Sequence, residues 1–176
     1  VSGCLANGIT ANGKISSAGG IAGTAYGTEI FDNGEKPYLS GGTIIGCGVR
    51  TFTSKATNSG GIVGTATANA NSAFIKSCYA ANIYLNGENN GGIAGADGAF
   101  KAHRIAYCLV DNSNGYAVVG GDRVRSISKR MVLSVPADSG LTVDGVLSVL
   151  NAVGSGFDKW ERSEKINGGY PYPSRI

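Results

Sequence analysis

Apolar positions repeat along the first 120 residues with a period near 30. Each period opens on an apolar residue, two variable residues and a cysteine. Val1 stands before Cys4, Ile44 before Cys47, Ile75 before Cys78 and Ile105 before Cys108. Five residues past the cysteine comes Ile9, Phe52 or Ile83, and the fourth unit has Ser113 there. A glycine-framed apolar pair then follows: Gly19-Gly20-Ile21-Ala22-Gly23, Gly60-Gly61-Ile62-Val63-Gly64 and Gly91-Gly92-Ile93-Ala94-Gly95. The fourth unit closes on Val118-Val119-Gly120 instead. Cys47 to Cys78 is 31 residues and Cys78 to Cys108 is 30, whereas Cys4 to Cys47 is 43, so the first period carries an insertion.

A period of this length is the signature of stacked units that cannot bury an apolar side alone. It predicts three short strands per unit, at 74–79, 82–85 and 92–95 in the third. Turn chemistry lies between them, at 86–91 and 95–98, where Asn and Gly adopt positive φ at low cost. Stacking pairs each strand with its equivalent in the next unit, which gives a mainly β solenoid of parallel sheets. The predicted interior columns are Val1, Ile44, Ile75 and Ile105; the four cysteines; Ile9, Phe52 and Ile83; and Ile21, Ile62, Ile93 and Val118. About four coils at ~4.8 Å spacing make a stub of ~20 Å.

Composition narrows the function classes. At 176 residues the chain is one domain, or one domain with an appendage. A net charge of +3 and 15% charged residues argue against nucleic acid as a partner. The 29 glycines are periodic and belong to the repeat rather than to disorder. No apolar run approaches the ~20 residues of a membrane span, and residues 1–10 lack the pattern of a signal peptide. The expectation is a mature protein or a part of a longer chain.

The four cysteines admit two readings. They can form two disulfides. Alternatively, their shared register puts them in one column about 4.8 Å apart, with side chains parallel rather than facing. Buried there, they act as small hydrophobes, and this reading is the stronger. Ligands in a row do not form a tetrahedron, so no metal is expected, and no cofactor motif appears. Val1-Ser2-Gly3-Cys4 resembles a lipoprotein cleavage box, but the repeat already accounts for Cys4.

The Gly-Gly-Ile-[Ala/Val]-Gly core together with Ile75 through Cys78-Tyr79 resembles the GLUG-motif repeat. Such repeats occur in secreted and surface proteins of bacteria, including adhesin-like proteins of gut Bacteroidetes and non-catalytic regions of IgA-specific peptidases. The resemblance covers residues 1–120. It implies a right-handed β-helix, an extracellular or cell-surface location and no catalytic residues. The tail also resembles the ends of other GLUG-type proteins, where a helix, a Trp and a Gly-Tyr-Pro segment close the chain.

The insertion is the most individual stretch. Gly23 to Cys47 spans 24 residues, against 14 and 13 in the next two units. It reads as a hairpin over 28–40 around Asn33-Gly34, decorating one edge or covering the N-terminal coil. Inserted loops on solenoids often lie on a binding face, so Glu29, Phe31, Asp32 and Tyr38 are the candidate ligand residues.

Past Gly120 the pattern changes, which divides the chain into repeats at 1–120 and a cap at 121–176. Arg123, Arg125, Lys129 and Arg130 form a basic cluster that reads as a solvated face rather than an anionic-glycan site. Val143, Val146, Leu147 and Leu150 recur at helical spacing, predicting a helix near 142–153. Trp160, Tyr170 and Tyr172 can form an aromatic platform. The stronger reading folds helix and tail over the last coil, covering an open strand edge.

Nothing in the sequence points to catalysis. His103 is the single histidine and reads as a turn residue, and Glu88, Asp97 and Asp111 fall at different offsets from their cysteines. The expected function is a non-catalytic, adhesin-like module that presents a surface to host or matrix glycans or proteins. The alternative is a carbohydrate-binding or carbohydrate-processing β-helix.

Overall fold

The computed structural model describes residues 1–30, 38–41, 43–68, 74–98, 104–111, 114–120, 128–130, 133–135, 145–152, 157 and 159–174. The first unit gives β1 (Leu5–Ala11), β2 (Ser17–Gly19) and β3 (Ala22–Ile30), followed by β4 (Tyr38–Gly41). The second gives β5 (Thr43–Ile45), β6 (Gly48–Ser54), β7 (Asn58–Gly60) and β8 (Val63–Ala68). The third gives β9 (Phe74–Lys76), β10 (Tyr79–Leu85), β11 (Asn89–Gly91) and β12 (Ala94–Gly98). Then come β13 (Arg104–Ala106), β14 (Leu109–Asp111), β15 (Ser128–Arg130), β16 (Leu133–Val135), α1 (Gly145–Leu150), β17 (Trp160–Glu161) and β18 (Tyr172–Pro173).

The fold is mainly β and β-helix-like. Equivalent strands stack in parallel into sheets ordered β1-β6-β10-β14-β16, β5-β9-β13-β15 and β2-β7-β11. A fourth sheet, β12-β8-β3-β4, is parallel except for its last strand. The predicted columns form. Leu5, Gly48, Tyr79 and Leu109 share a register, which aligns the four cysteines one residue earlier. Ile9, Phe52 and Ile83 are aligned in the same way. The glycine-framed segments run in a third line, with Ile21 N–H bonded to Ile62 O, Ile62 N–H to Ile93 O and Ile93 N–H to Val118 O. Ile44, Cys47, Val49, Phe52, Ile62, Ile75, Cys78, Ile83, Ile93 and Cys108 are all buried inside the stack.

Among the described residues the second and third units each have four strands, not three. The strand expected over 74–79 is broken at Ser77, which has φ 52°. The same corner recurs one residue before every cysteine, at Gly3, Gly46, Ser77 and Tyr107, with φ between 52° and 64°. The stretch read as a turn at 86–91 contains β11. A second left-handed position bends the long strand of each unit at Gly8, Thr51 and Asn82. L-residues rarely adopt this conformation, and a β-branched one such as Thr51 does so least readily.

The corner explains the cysteine. Each thiol points back at the carbonyl two residues earlier: Cys47 to Ile45 O at 3.4 Å, Cys78 to Lys76 O at 3.1 Å and Cys108 to Ala106 O at 3.3 Å. A small apolar side chain with a weak donor fills the interior and partners a carbonyl there. All four cysteines are free, so the disulfide reading falls.

Beyond the fourth unit, β15 pairs with β13 and β16 with β14, both in parallel. Lys129 therefore stands in register with Ile105. No cysteine or glycine pentapeptide marks this rung. The helix is shorter than expected, six residues over Gly145–Leu150, with 142–144 and 153 outside the described residues.

Substituting Gly60 by Ala should destabilise the protein by about 2 kcal/mol or more, because a Cβ there would collide with the backbone of Val63 and Gly95. Gly145→Ala, where a Cβ meets nothing within 4 Å, should stay within about 0.5 kcal/mol. Urea midpoints of the two variants check this.

Candidate functional site

The insertion folds as a hairpin. The first part of β3, Ala22 to Gly27, pairs in parallel with β8, and its remainder pairs antiparallel with β4. Gly27 faces Gly41, Thr28 faces Ser40, Glu29 faces Leu39 and Ile30 faces Tyr38. The sequence predicted a hairpin over 28–40, and the pairs from Thr28–Ser40 to Ile30–Tyr38 fall within it. It makes β4 the edge strand of its sheet, beside the first unit. Glu29 and Tyr38 occupy successive register positions on facing strands. Phe31 and Asp32, with the Asn33-Gly34 turn, lie outside the described residues.

The aromatic tail is elsewhere and has another role. Trp160 is 1% exposed and Tyr172 is buried, so they do not form an open platform. A second apolar cluster joins Val146, Val149 and Leu150 of α1, together with Trp160, to Tyr79, Ala81 and Leu109. These last three lie on β10 and β14 but outside the cluster that fills the stack, so helix and tail cover the flank of the five-stranded sheet. The expected placement over the last coil is not what the described residues of the tail adopt.

The contacts on this flank are specific. The indole N–H of Trp160 donates to Ser77 Oγ at 2.7 Å, and Ser77 Oγ donates to Leu150 O at 2.8 Å. Asn151 pairs with the Trp160 backbone in both directions, at 2.7 and 3.0 Å. The Tyr79 ring meets Trp160 edge-on at 5.5 Å and stacks on Tyr170 at 6.4 Å. Asn167 Nδ2 donates to the Tyr79 hydroxyl at 2.9 Å. Arg50 lies 4.7 Å over the Tyr170 ring and donates to Asn167 O at 3.0 Å. Phe157 covers Gly3 and Gly46, where a Cβ at Gly46 would strike its ring. Gly48 is small for a related reason, since a Cβ there would meet the Tyr79 ring.

The electrostatics agree with packing. The Cys47 thiol is pushed up by its hydrogen bond to Cys78 and by burial, and Cys78 is pushed up chiefly by burial. Such thiols are protonated and are not nucleophiles. Burial also raises the Tyr79 hydroxyl to about 12. His103, Arg123 and Arg125 lie outside the described residues. Among the described residues no three His, Cys, Asp or Glu side chains gather as a metal site, and no helix is long and apolar enough to cross a membrane. The flank contacts escape sequence reading, because Ser77 and Trp160 are 83 residues apart.

No family model matches the chain, and neither a curated protein nor a solved structure matches it.

Trp160→Ala should cost about 3–5 kcal/mol, as expected for removing a buried indole, read from chemical denaturation. The folded Tyr79 hydroxyl titrates above its ordinary value of 10, so its contribution is complete below pH 10 and is lost as pH rises toward about 12. Comparing stability against pH for the parent and Tyr79→Phe should show this slope only in the parent.

Proposed function

We propose that the chain is a non-catalytic, ligand-presenting β-solenoid module of the GLUG-motif kind, from an adhesin-like secreted or cell-surface protein. The observation that carries this reading is the hairpin of β3 and β4. It departs from a regular stack, lies at a sheet edge and bears Glu29 and Tyr38, with Phe31 and Asp32 next along the chain. The other conspicuous side chains, the buried cysteines, Tyr79 and Trp160, are engaged in packing. The partner class is a host or matrix glycan or protein, met by acids that accept hydrogen bonds and aromatic rings that stack.

In this reading the winding is right-handed, the hand taken by parallel crossover connections. The stack has about four coils. Residues 121–176 close it in two ways: the short strands β15 and β16 add a last, partial rung, and the helix and tail brace the flank.

The test is a binding screen against mucin, matrix proteins and acidic glycans, run beside a variant with residues 29–38 replaced by a Gly/Ser link. Binding lost with the loop is the expected result. Binding that persists in the variant places the ligand elsewhere, and turnover of a polyuronide would overturn the non-catalytic reading.

A further inference from the structure

We infer that the outer face of the five-stranded sheet, between the tail and Tyr84, is a binding site for an acidic oligosaccharide. Tyr84 stacks on a sugar ring, and Arg50 takes a carboxylate or sulfate of the same ligand. The site is separate from the hairpin, and the inference holds whatever the hairpin binds.

The floor of the site is a row of hydroxyls with one open ring. Ile83 and Leu85 are buried in the stack, so Tyr84 between them points outward. It is 57% exposed, and its hydroxyl has no hydrogen-bond partner among the described residues. Tyr84 stands in register with Thr53, and Thr53 with Thr10, which sets the three side chains in line across β10, β6 and β1. A phenol ring can cover the apolar face of a sugar while hydroxyls bond its rim.

The tail forms a wall beside this row and holds a cation in it. Asn82, two residues before Tyr84, donates its side-chain amide to the Tyr170 hydroxyl at 3.3 Å. Arg50 lies 4.7 Å over the Tyr170 ring, against Gly168, and Nη1 donates to Asn167 O at 3.0 Å. These partners are all neutral, and no carboxylate pairs with Arg50 among the described residues. A guanidinium has five N–H donors, and one of them is used here. The geometry is fixed and the charge is uncompensated, which is the condition for a strong, charge-assisted bond to an anion.

The surroundings favour an acidic sugar over other anions. β1, β6 and β10 have seven residues each and contain no acid, and Arg50 is their one charge. Asp111 belongs to β14, and Glu88 to the turn before β11. A single cation is too few for a nucleic-acid backbone, which is held by several phosphate contacts. One ring among hydroxyls, an amide and a guanidinium suits a ligand that itself carries hydroxyls around a ring. Tyr84 is three residues along and one strand across from the register of Arg50, roughly 10 Å at the backbone. A chain of linked sugars meets both groups.

The test titrates the whole chain by calorimetry with an oligogalacturonate, a heparin oligosaccharide and neutral dextran. The two acidic ligands distinguish a carboxylate from a sulfate. At least one should bind about tenfold or more tighter than dextran, and more weakly as salt is raised. Tyr84→Ala removes no hydrogen bond among the described residues and should melt with the parent, yet weaken binding about tenfold. Arg50→Met should abolish the preference for the acidic ligand, and Arg50→Lys should restore part of it. Melting temperatures are followed because Arg50 also holds the tail. Replacing residues 29–38 should leave this binding unchanged. The inference is overturned if neither acidic ligand binds in preference to dextran, or if Tyr84→Ala binds as tightly as the parent. Binding that is lost with residues 29–38 and kept in Tyr84→Ala also overturns it and returns the ligand to the hairpin.

Discussion

The stack rests on how closely its backbones pass at the glycine pentapeptide. A Cβ at Gly91 would strike the backbone of Ala94 and Gly120, and one at Gly95 would strike Ser59 and Gly64. Only hydrogen fits at such crossings. Two neighbouring units are therefore pinned at one point of each coil, and the remaining columns follow from that register. Ile21, Ile62 and Ile93 sit inside the pinch, and the cysteines lie on another wall of the same interior.

The second determinant is the left-handed corner before each cysteine. It turns the chain between two sheets and separates the inward cysteine from the residue after it, which joins the flank. Gly48, Tyr79 and Leu109 follow Cys47, Cys78 and Cys108. The same corner residue also serves the flank where it has a side chain, since Ser77 binds both Trp160 and Leu150. One local conformation thus sets the interior on one side and a docking surface on the other.

What the sequence made legible follows from this. Columns were readable because a fixed period forces like residues into line, and the hairpin was readable from Asn33-Gly34 within an excess of residues. The corners were hidden, because Thr51, Ser77 and Tyr107 are residue types that give no sign of positive φ. β15 and β16 were hidden because their pairing comes from backbone hydrogen bonds without the Cys or Gly-Gly-Ile signature. The lateral docking of the tail was hidden because aromatic residues at 157–172 carry no indication of which of several apolar surfaces they meet. Of the candidate ligand residues, the sequence placed Glu29 and Tyr38 on facing strands, and the register bears out that much.

The flank docking changes how such a stack bears load. A solenoid joined only by contacts between neighbouring coils peels from its ends, one coil at a time. Here the tail touches Gly3 in the first unit, Arg50 in the second, Ser77 and Asn82 in the third and Leu109 in the fourth. Tension applied at the C-terminal end meets β18, β17 and Trp160 before it reaches the short strands at the rim. The pull enters near the middle of the stack, sideways, through a buried indole, and the coils resist it together.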